Sequence, residues 1–289
     1  ISDFIPVSRI ADMLLNPGGP YNFNGEKRIY PDIKLVYWCG GNPFHHHQDL
    51  NRLIKAWSKP DTVISNEWCW NALAQYSDIV LPCTTSLERS DISITPKDPY
   101  LVIMDQAVEP VGEAKDDHEI FKLLAREMGV EEKFTEKKSA EEWQYWMYNF
   151  ARQSAAKEGV ELPNWDKFKK TGWFKVPDLD KQVIMMEEFV NNPKQNPLST
   201  PSGKIEIFSK TIADFGYEDC PGYPYWMEPQ EWLGNASPDA PLHMISNQPK
   251  DKLHSQLDHG AVSQSAKING HEQLLMNPSD AKLRGLKDR

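Results

Sequence analysis

Two loops in this 289-residue chain carry the residue types that hold a phosphorylated ligand. Gly40-Gly41-Asn42-Pro43 follows the apolar run Ile33-Lys34-Leu35-Val36-Tyr37-Trp38-Cys39. Its glycines admit positive φ and close backbone approach, and a helix opening behind it offers its first N–H groups to an anion. Ser65-Asn66-Glu67 brings a hydroxyl, an amide and a carboxylate together, a set able to read a sugar or base, with the carboxylate accepting from a ribose hydroxyl or a guanine edge. The plainer alternative for both is a solvated turn with a helix cap. Arg89, within Leu87-Glu88-Arg89-Ser90-Asp91, is either a phosphate partner or half of a salt bridge with Glu88 or Asp91. Asp116 and Asp117 stand just before a helix, where carboxylates favour the dipole, so capping is the default.

The loop Ser246-Asn247-Gln248-Pro249-Lys250-Asp251-Lys252-Leu253-His254-Ser255-Gln256 concentrates amides, hydroxyls, an imidazole and lysines. It suits a heterocycle with many donors and acceptors, or else is a solvated surface loop. His45-His46-His47 tempts a metal assignment, but three consecutive side chains diverge in any regular structure, so loop polarity or ligand hydrogen bonding is the better reading. The four cysteines, Cys39, Cys69, Cys83 and Cys220, lack CxxC spacing and are expected to be buried free thiols. No nucleophile–histidine set, acid/base pair or HExxH stands out, so no catalytic residue and no metal ligand is assigned within the chain.

Such loops need a sheet behind them. The run ending at Cys39 reads as a buried strand, and Gln48 to Trp57 as an amphipathic helix with Leu50, Leu53, Ile54 and Trp57 on one face. Thr62-Val63-Ile64-Ser65, a helical stretch from about Trp68 to Tyr76, Asp78-Ile79-Val80-Leu81-Pro82 and the strand Tyr100-Leu101-Val102-Ile103-Met104 follow. Strands alternating with helices at this spacing predict a parallel sheet with right-handed crossovers, and in such a sheet ligands sit outside the carboxyl ends of the strands. Helices are expected from Glu119 to Met128, stopped by Gly129, and from Ser139 to Ala156, packed across the sheet. From Glu158 to Pro201 the pattern is less periodic, with two short apolar pieces, Trp173 to Val176 and Val183 to Met186, and no element is assigned. Lys204-Ile205-Glu206-Ile207-Phe208 alternates as a half-buried strand should. Five prolines between Cys220 and Pro241 place a boundary near Ala240. Leu242-His243-Met244-Ile245-Ser246 then reads as a strand and Pro278 to Leu283 as a helix opened by Asn277.

Composition bounds the function classes. The chain holds 32 basic against 42 acidic residues, a net charge of -10, which disfavours nonspecific binding to nucleic acid or anionic lipid. Apolar runs reach only about five residues, against the roughly 20 that span a bilayer. The length suits about two domains. With Ile at position 1, no leader-like segment ahead of the first elements and Arg289 just after a helix, an excised piece of a longer protein is expected.

Trp38-Cys39-Gly40-Gly41-Asn42-Pro43-Phe44-His45-His46-His47-Gln48-Asp49-Leu50-Asn51-Arg52, followed by Asp78 to Pro82 and Thr84-Thr85-Ser86-Leu87-Glu88-Arg89, resembles the molybdopterin oxidoreductases of the dimethyl sulfoxide reductase family, above all its trimethylamine N-oxide and biotin sulfoxide reductases. Thr200-Pro201-Ser202-Gly203-Lys204-Ile205-Glu206 and Ser246 to Gln256 continue the resemblance in the same order. It implies a large enzyme that reduces an S-oxide or N-oxide at molybdenum held by bis(molybdopterin guanine dinucleotide), with a cytochrome-like electron donor and a periplasmic home, a cytoplasmic one being the alternative. On this resemblance residues 1–240 form a Rossmann-like α/β domain that binds the dinucleotide, and 241–289 begin a β-barrel domain. Gly40, Gly41, Asn42, Pro43, His46, Gln48, Ser65, Asn66, Arg89 and Asp117 would face the guanine dinucleotide. Ser246, Asn247, Gln248, His254, Ser255 and Gln256 would face a pterin. The family's metal-ligating serine and the rest of the barrel have no counterpart here, so the chain by itself is expected to hold no cofactor and to be inactive. Two alternatives stay open: a nucleotide-binding or electron-transfer module without its own chemistry, and a dehydrogenase of the same superfamily.

Overall fold

The computed structural model describes residues 4–95, 98–177, 184–254 and 256–288. Contacts divide the chain into two units, Ile1–Gly41 with Ile54–Tyr225, and Asn42–Leu53 with Trp226–Arg289. In the first unit a short helix, α1 (Ile10–Leu15), precedes an antiparallel hairpin of β1 (Pro20–Phe23) and β2 (Glu26–Ile29). The first apolar run then gives β3 (Leu35–Cys39). The chain continues through α2 (Pro43–His46) and α3 (Leu50–Trp57) to β4 (Thr62–Glu67), then α4 (Ala72–Gln75) and β5 (Ile79–Pro82). β3, β4 and β5 form a parallel sheet in that order, with Cys39 opposite Asn66 and Glu67 opposite Pro82, as the β-branched runs Val63-Ile64 and Ile79-Val80 predict. The expected helix over 68–76 shrinks to one turn. Asn71 caps it by accepting from the Ala74 N–H at 3.0 Å, and Trp68 and Trp70, both exposed, find no surface that would extend it.

Tyr100–Met104 is a strand, but not of the parallel sheet. As β7 it lies antiparallel between β6 (Asp91–Ser93) and β8 (Trp173–Lys175). Helices α5 (Asp117–Glu127), α6 (Glu131–Thr135), α7 (Ala140–Lys157) and α8 (Trp165–Thr171) follow β7. A capping box starts α7: the Glu142 N–H donates to Ser139 Oγ, and the Ser139 N–H donates to the Glu142 carboxylate at 2.7 Å. The antiparallel sheet is roofed by a core of Leu101, Tyr148, Leu162 and Phe168, in which the Tyr148 and Phe168 rings stack at 4.5 Å.

Lys204–Phe208 is not a strand. Alternation gives a strand only where a neighbour completes the ladder, and here Thr200 Oγ1 donates to the Lys204 carbonyl and Glu206 accepts from the Ser202 N–H, while Ile205 and Ile207 stay exposed. Short helices α9 (Glu187–Asn191) and α10 (Lys210–Ala213) flank this stretch. Val183 lies outside the described residues. The cysteines are free, with Cys39 and Cys220 exposed and Cys69 and Cys83 half-buried, so the expectation of buried thiols fails because each sits at a strand end or loop rather than in a core.

In the second unit α11 (Ala261–Ser265) and α12 (Pro278–Leu283) form, the latter opened by Asn277 as predicted. Leu242–Ser246 is not a strand: Met244 and Ile245 are exposed, and among the described residues no strand lies beyond β8. Lys252 and Lys267 instead bracket Asp258 at 2.7 and 2.9 Å and tie the loops of this unit together. No helix among the described residues is long and apolar enough to cross a membrane.

Candidate functional site

The carboxyl end of the parallel sheet gathers polar side chains. Beyond β5 the chain leaves through Cys83, and Lys115 returns beside it in a parallel bridge, its N–H donating to the Pro82 carbonyl at 3.2 Å. That return delivers α5 with its N-terminus at the sheet end. Asp116 takes the capping role, accepting from the Glu119 N–H at 2.8 Å, and Asp117 is left for another partner. Tyr37 Oη donates to Asn66 Oδ1 at 3.0 Å, and Asn66 Nδ2 donates to Asp117 Oδ1 at 2.8 Å. Burial, with Cys39 and Asp117 close by, pushes the Tyr37 hydroxyl up to about 12. Burial next to Asp117 and Glu67 pushes the Cys83 thiol up to about 11. Ser65, Asn66 and Glu67 are all buried, and burial raises the Glu67 carboxyl above its ordinary range.

Asp117 lines a cleft of about 930 Å³, large enough for a nucleoside phosphate, together with Thr84, Arg89, Lys115, His118 and Trp143. Arg89 forms an ion pair with Asp91, one of the two readings its sequence left open. Glu88 pins the loop that carries Arg89: its carboxylate accepts from the Thr85 N–H, Thr85 Oγ1 and the Val111 N–H, each at 2.8 Å. Those bonds hold the Glu88 carboxyl below the usual range. Ser65 Oγ, Thr84 Oγ1 and His118 Nε2 are buried without a hydrogen-bond partner among the described residues, an unusual state for native polar atoms.

Gly40 and Gly41 both adopt positive φ, 72° and 73°, as the loop reading requires. The anion cradle expected after them is reduced. In the second unit, α2 is one turn, its first residue Pro43 has no N–H, and Asn42 Oδ1 already accepts the Phe44 N–H at 3.1 Å. Asn42 Nδ2 is buried and unpartnered. His46 and His254, both expected at the site, meet edge to face at 6.2 Å from distant parts of the sequence. Gln48 stands exposed in the bend before α3. Ser246 and Asn247 are exposed, Gln248 Nε2 donates to the Lys252 carbonyl at 2.5 Å, and Gln256 pairs with Leu253 across a turn at His254. Ser255 lies outside the described residues. Burial and Lys252 lower the His45 imidazole below its ordinary value. Among the described residues no group of three or more His, Cys, Asp or Glu is placed to hold a metal ion.

Tyr37, Thr84, Glu88 and His118 were not among the residues read as functional. Tyr37 carried a signal in sharing a strand face with Cys39 at the edge of the glycine loop, and Thr84 and Glu88 in lying within the stretch Thr84 to Arg89 that carries the family resemblance. The Val111 bond to Glu88 is made 23 residues along the chain, which no local pattern reports.

Residues 20–127 match the family model described as molybdopterin oxidoreductase. The chain is 44% identical to the biotin sulfoxide reductase of Cereibacter sphaeroides over all of its own length and 39% of that protein's. It is 46% identical to the trimethylamine-N-oxide reductase of Haemophilus influenzae over 98% of this chain and 35% of that protein. The chain therefore spans a little over a third of the length of these curated relatives. The acetylene hydratase of Pelobacter acetylenicus superposes with a TM-score of 0.62 at 23% identity, over 89% of this chain and 33% of that one, a likeness of fold.

Proposed function

We propose, from the premise that this chain belongs to the molybdopterin oxidoreductases, that it supplies nucleotide-binding loops to a molybdenum enzyme that removes oxygen from an S-oxide or N-oxide. The observation that carries this reading is the hydrogen-bonded series Tyr37, Asn66, Asp117, which fixes a carboxylate on the wall of a cleft of nucleotide size. A carboxylate accepts from the N1–H and exocyclic amine of guanine, the edge that a guanine dinucleotide presents.

Thr84 Oγ1 and His118 Nε2, buried and unpartnered, belong to residues that line this cleft with Asp117 and fit such a polar ligand, which would satisfy them. In the first unit, Gly40 and Gly41 would admit the diphosphate, Asp117 would take the base, and Arg89 or Lys115 the phosphate charge; Ser65 and Asn66 would support them. In the second unit, Asn42, Pro43, His46 and Gln48 would contact a guanine dinucleotide, and Ser246, Asn247, Gln248, His254, Ser255 and Gln256 would meet a pterin. When bound, a molybdenum bis(molybdopterin guanine dinucleotide) supplies oxygen-atom transfer and two-electron chemistry. The chain's own residues bind, orient and shield that group from water.

The same reading assigns residues 1–240 to a Rossmann-like domain and 241–289 to the opening of a β-barrel domain. It also assigns a cytochrome-type electron donor and a periplasmic home. The test is cofactor content in the complete enzyme: Asn42→Ala and Asp117→Ala each lower bound guanine nucleotide and molybdenum together, whereas full occupancy in both variants would make these loops structural.

A further inference from the structure

The sequence holds two Asn-Gly pairs, Asn24-Gly25 and Asn269-Gly270, and the fold puts both in the same local geometry. Each pair has positive φ at both residues, 47° and 82° in the first and 51° and 76° in the second, as the two central residues of a type I′ hairpin turn require. Asn-Gly is also the sequence most prone to succinimide formation, because glycine leaves its backbone nitrogen open to the asparagine side chain. The two turns differ in what holds them.

Asn24-Gly25 is clasped. Its hairpin is zipped over four residue pairs, from Pro20 opposite Ile29 to Phe23 opposite Glu26. The Gly25 N–H donates to Tyr217 Oη at 2.8 Å, and the Phe215 ring lies so close that a Cβ on Gly25 would meet it at 2.6 Å. Asn24 and Gly25 are exposed, as Asn269 and Gly270 are, but the nitrogen that must attack is held in a hydrogen bond and a ring packs against the Gly25 Cα. Around Asn269-Gly270 there is far less. The turn is closed by the single bridge Ile268 to His271, with two backbone bonds of 3.0 Å, and nothing lies within 4 Å of where a Gly270 Cβ would stand. Both residues are exposed. Opening a two-bond bridge needs much less free energy than unzipping a clasped hairpin, and reaction proceeds from the opened state.

We propose that Asn269 is a spontaneous deamidation site and that Asn24 is protected by its clasp. The Gly270 backbone nitrogen gives up its proton and attacks Asn269 Cγ. The N–Cγ bond forms, the Cγ–Nδ2 bond breaks, and the amide leaves as ammonia carrying that proton. Water then adds to either carbonyl of the succinimide and opens it to isoaspartate or aspartate, with no change in oxidation state. The product carries a new negative charge two residues from Lys267, which pairs with Asp258 at 2.9 Å. The isoaspartate form also adds a methylene to the backbone of a two-residue turn, which cannot keep the Ile268–His271 register.

The test is peptide mapping by mass spectrometry after incubation of the intact protein at mildly alkaline pH and body temperature, beside a denatured sample. The expected result is a gain of one mass unit at Asn269, with isoaspartate in excess, roughly tenfold or more ahead of Asn24, and a gap that closes on denaturation. Asn269→Gln abolishes the signal, and Tyr217→Phe speeds conversion at Asn24 alone. An Asn269 that stays intact while the denatured sample converts would overturn the proposal. So would an Asn24 that keeps pace with it in the native protein, or a gap that persists after denaturation.

Discussion

Asn66 Nδ2 donates to Asp117 Oδ1 at 2.8 Å, joining the end of the central parallel strand to the first residue of a helix 51 positions later. The same amide accepts from Tyr37 Oη, so its two ends are both engaged and the Asp117 carboxylate is fixed by groups that do not themselves need a ligand. Asn66 is thus better placed to position Asp117 than to touch a base directly.

That arrangement predicts unequal losses. Asn66→Ala removes two hydrogen bonds, leaving the half-buried Tyr37 hydroxyl and the exposed Asp117 carboxylate without that partner, and should destabilise the protein by about 1–3 kcal/mol, whereas Tyr37→Phe removes one neutral hydrogen bond worth about 0.5–1.5 kcal/mol. A double-mutant cycle measured by denaturant unfolding should show the two changes to be non-additive. Additive losses would mean that the series does not act as a unit.

The Tyr37 hydroxyl also sets an alkaline limit. Its folded pKa, about 12, lies above the ordinary value of 10.0, so the stabilisation is whole below about pH 10 and is lost as pH rises toward 12. Wild type and Tyr37→Phe should therefore converge in stability over that window. Ultraviolet titration of the phenolate should show one late-ionising tyrosine missing from the variant.

At acid pH the corresponding group is Glu88. Hydrogen bonds from Thr85 and Val111 lower its carboxyl below 4.5, so its contribution is present above that value and is lost as pH falls through the lowered one. Glu88→Gln should lower the thermal midpoint near neutrality, and the difference from wild type should shrink on acidification. A difference that grows with acid would contradict the assignment.

Phe168, fully buried and stacked on Tyr148, closes the core over the antiparallel sheet. Phe168→Ala should cost about 3–5 kcal/mol. Chemical unfolding followed by tryptophan fluorescence would measure it, and a loss under about 1 kcal/mol would mean that this core relaxes around the cavity.

The parallel sheet and its loops were legible because β-branched runs and glycine turns act locally: β3, β4 and β5 formed where the pattern put them. Tyr100–Met104 was legible as a strand but not as a member of its sheet, since pairing with β6 and β8 depends on residues such as Trp173 that lie far along the chain. Lys204–Phe208 and Leu242–Ser246 had strand-like patterns without a neighbouring strand among the described residues, and periodicity cannot report a missing partner. At the site, Asp116 and Asp117 were indistinguishable as adjacent carboxylates. Only the return of Lys115 beside Cys83 sorts them into a cap and a carboxylate held by Asn66 on the cleft wall.

The central claim is that Asp117, held by Asn66, reads a guanine edge, and calorimetric titration of the cofactor-depleted protein with guanosine and xanthosine diphosphates tests it most directly. Wild type should prefer the guanosine form. Asp117→Asn, which presents a donor where guanine also donates, should lose about 1–3 kcal/mol of that affinity and shift toward xanthosine, whose carbonyl replaces the amine. An Asp117→Asn variant that binds both nucleotides as wild type does would contradict the account.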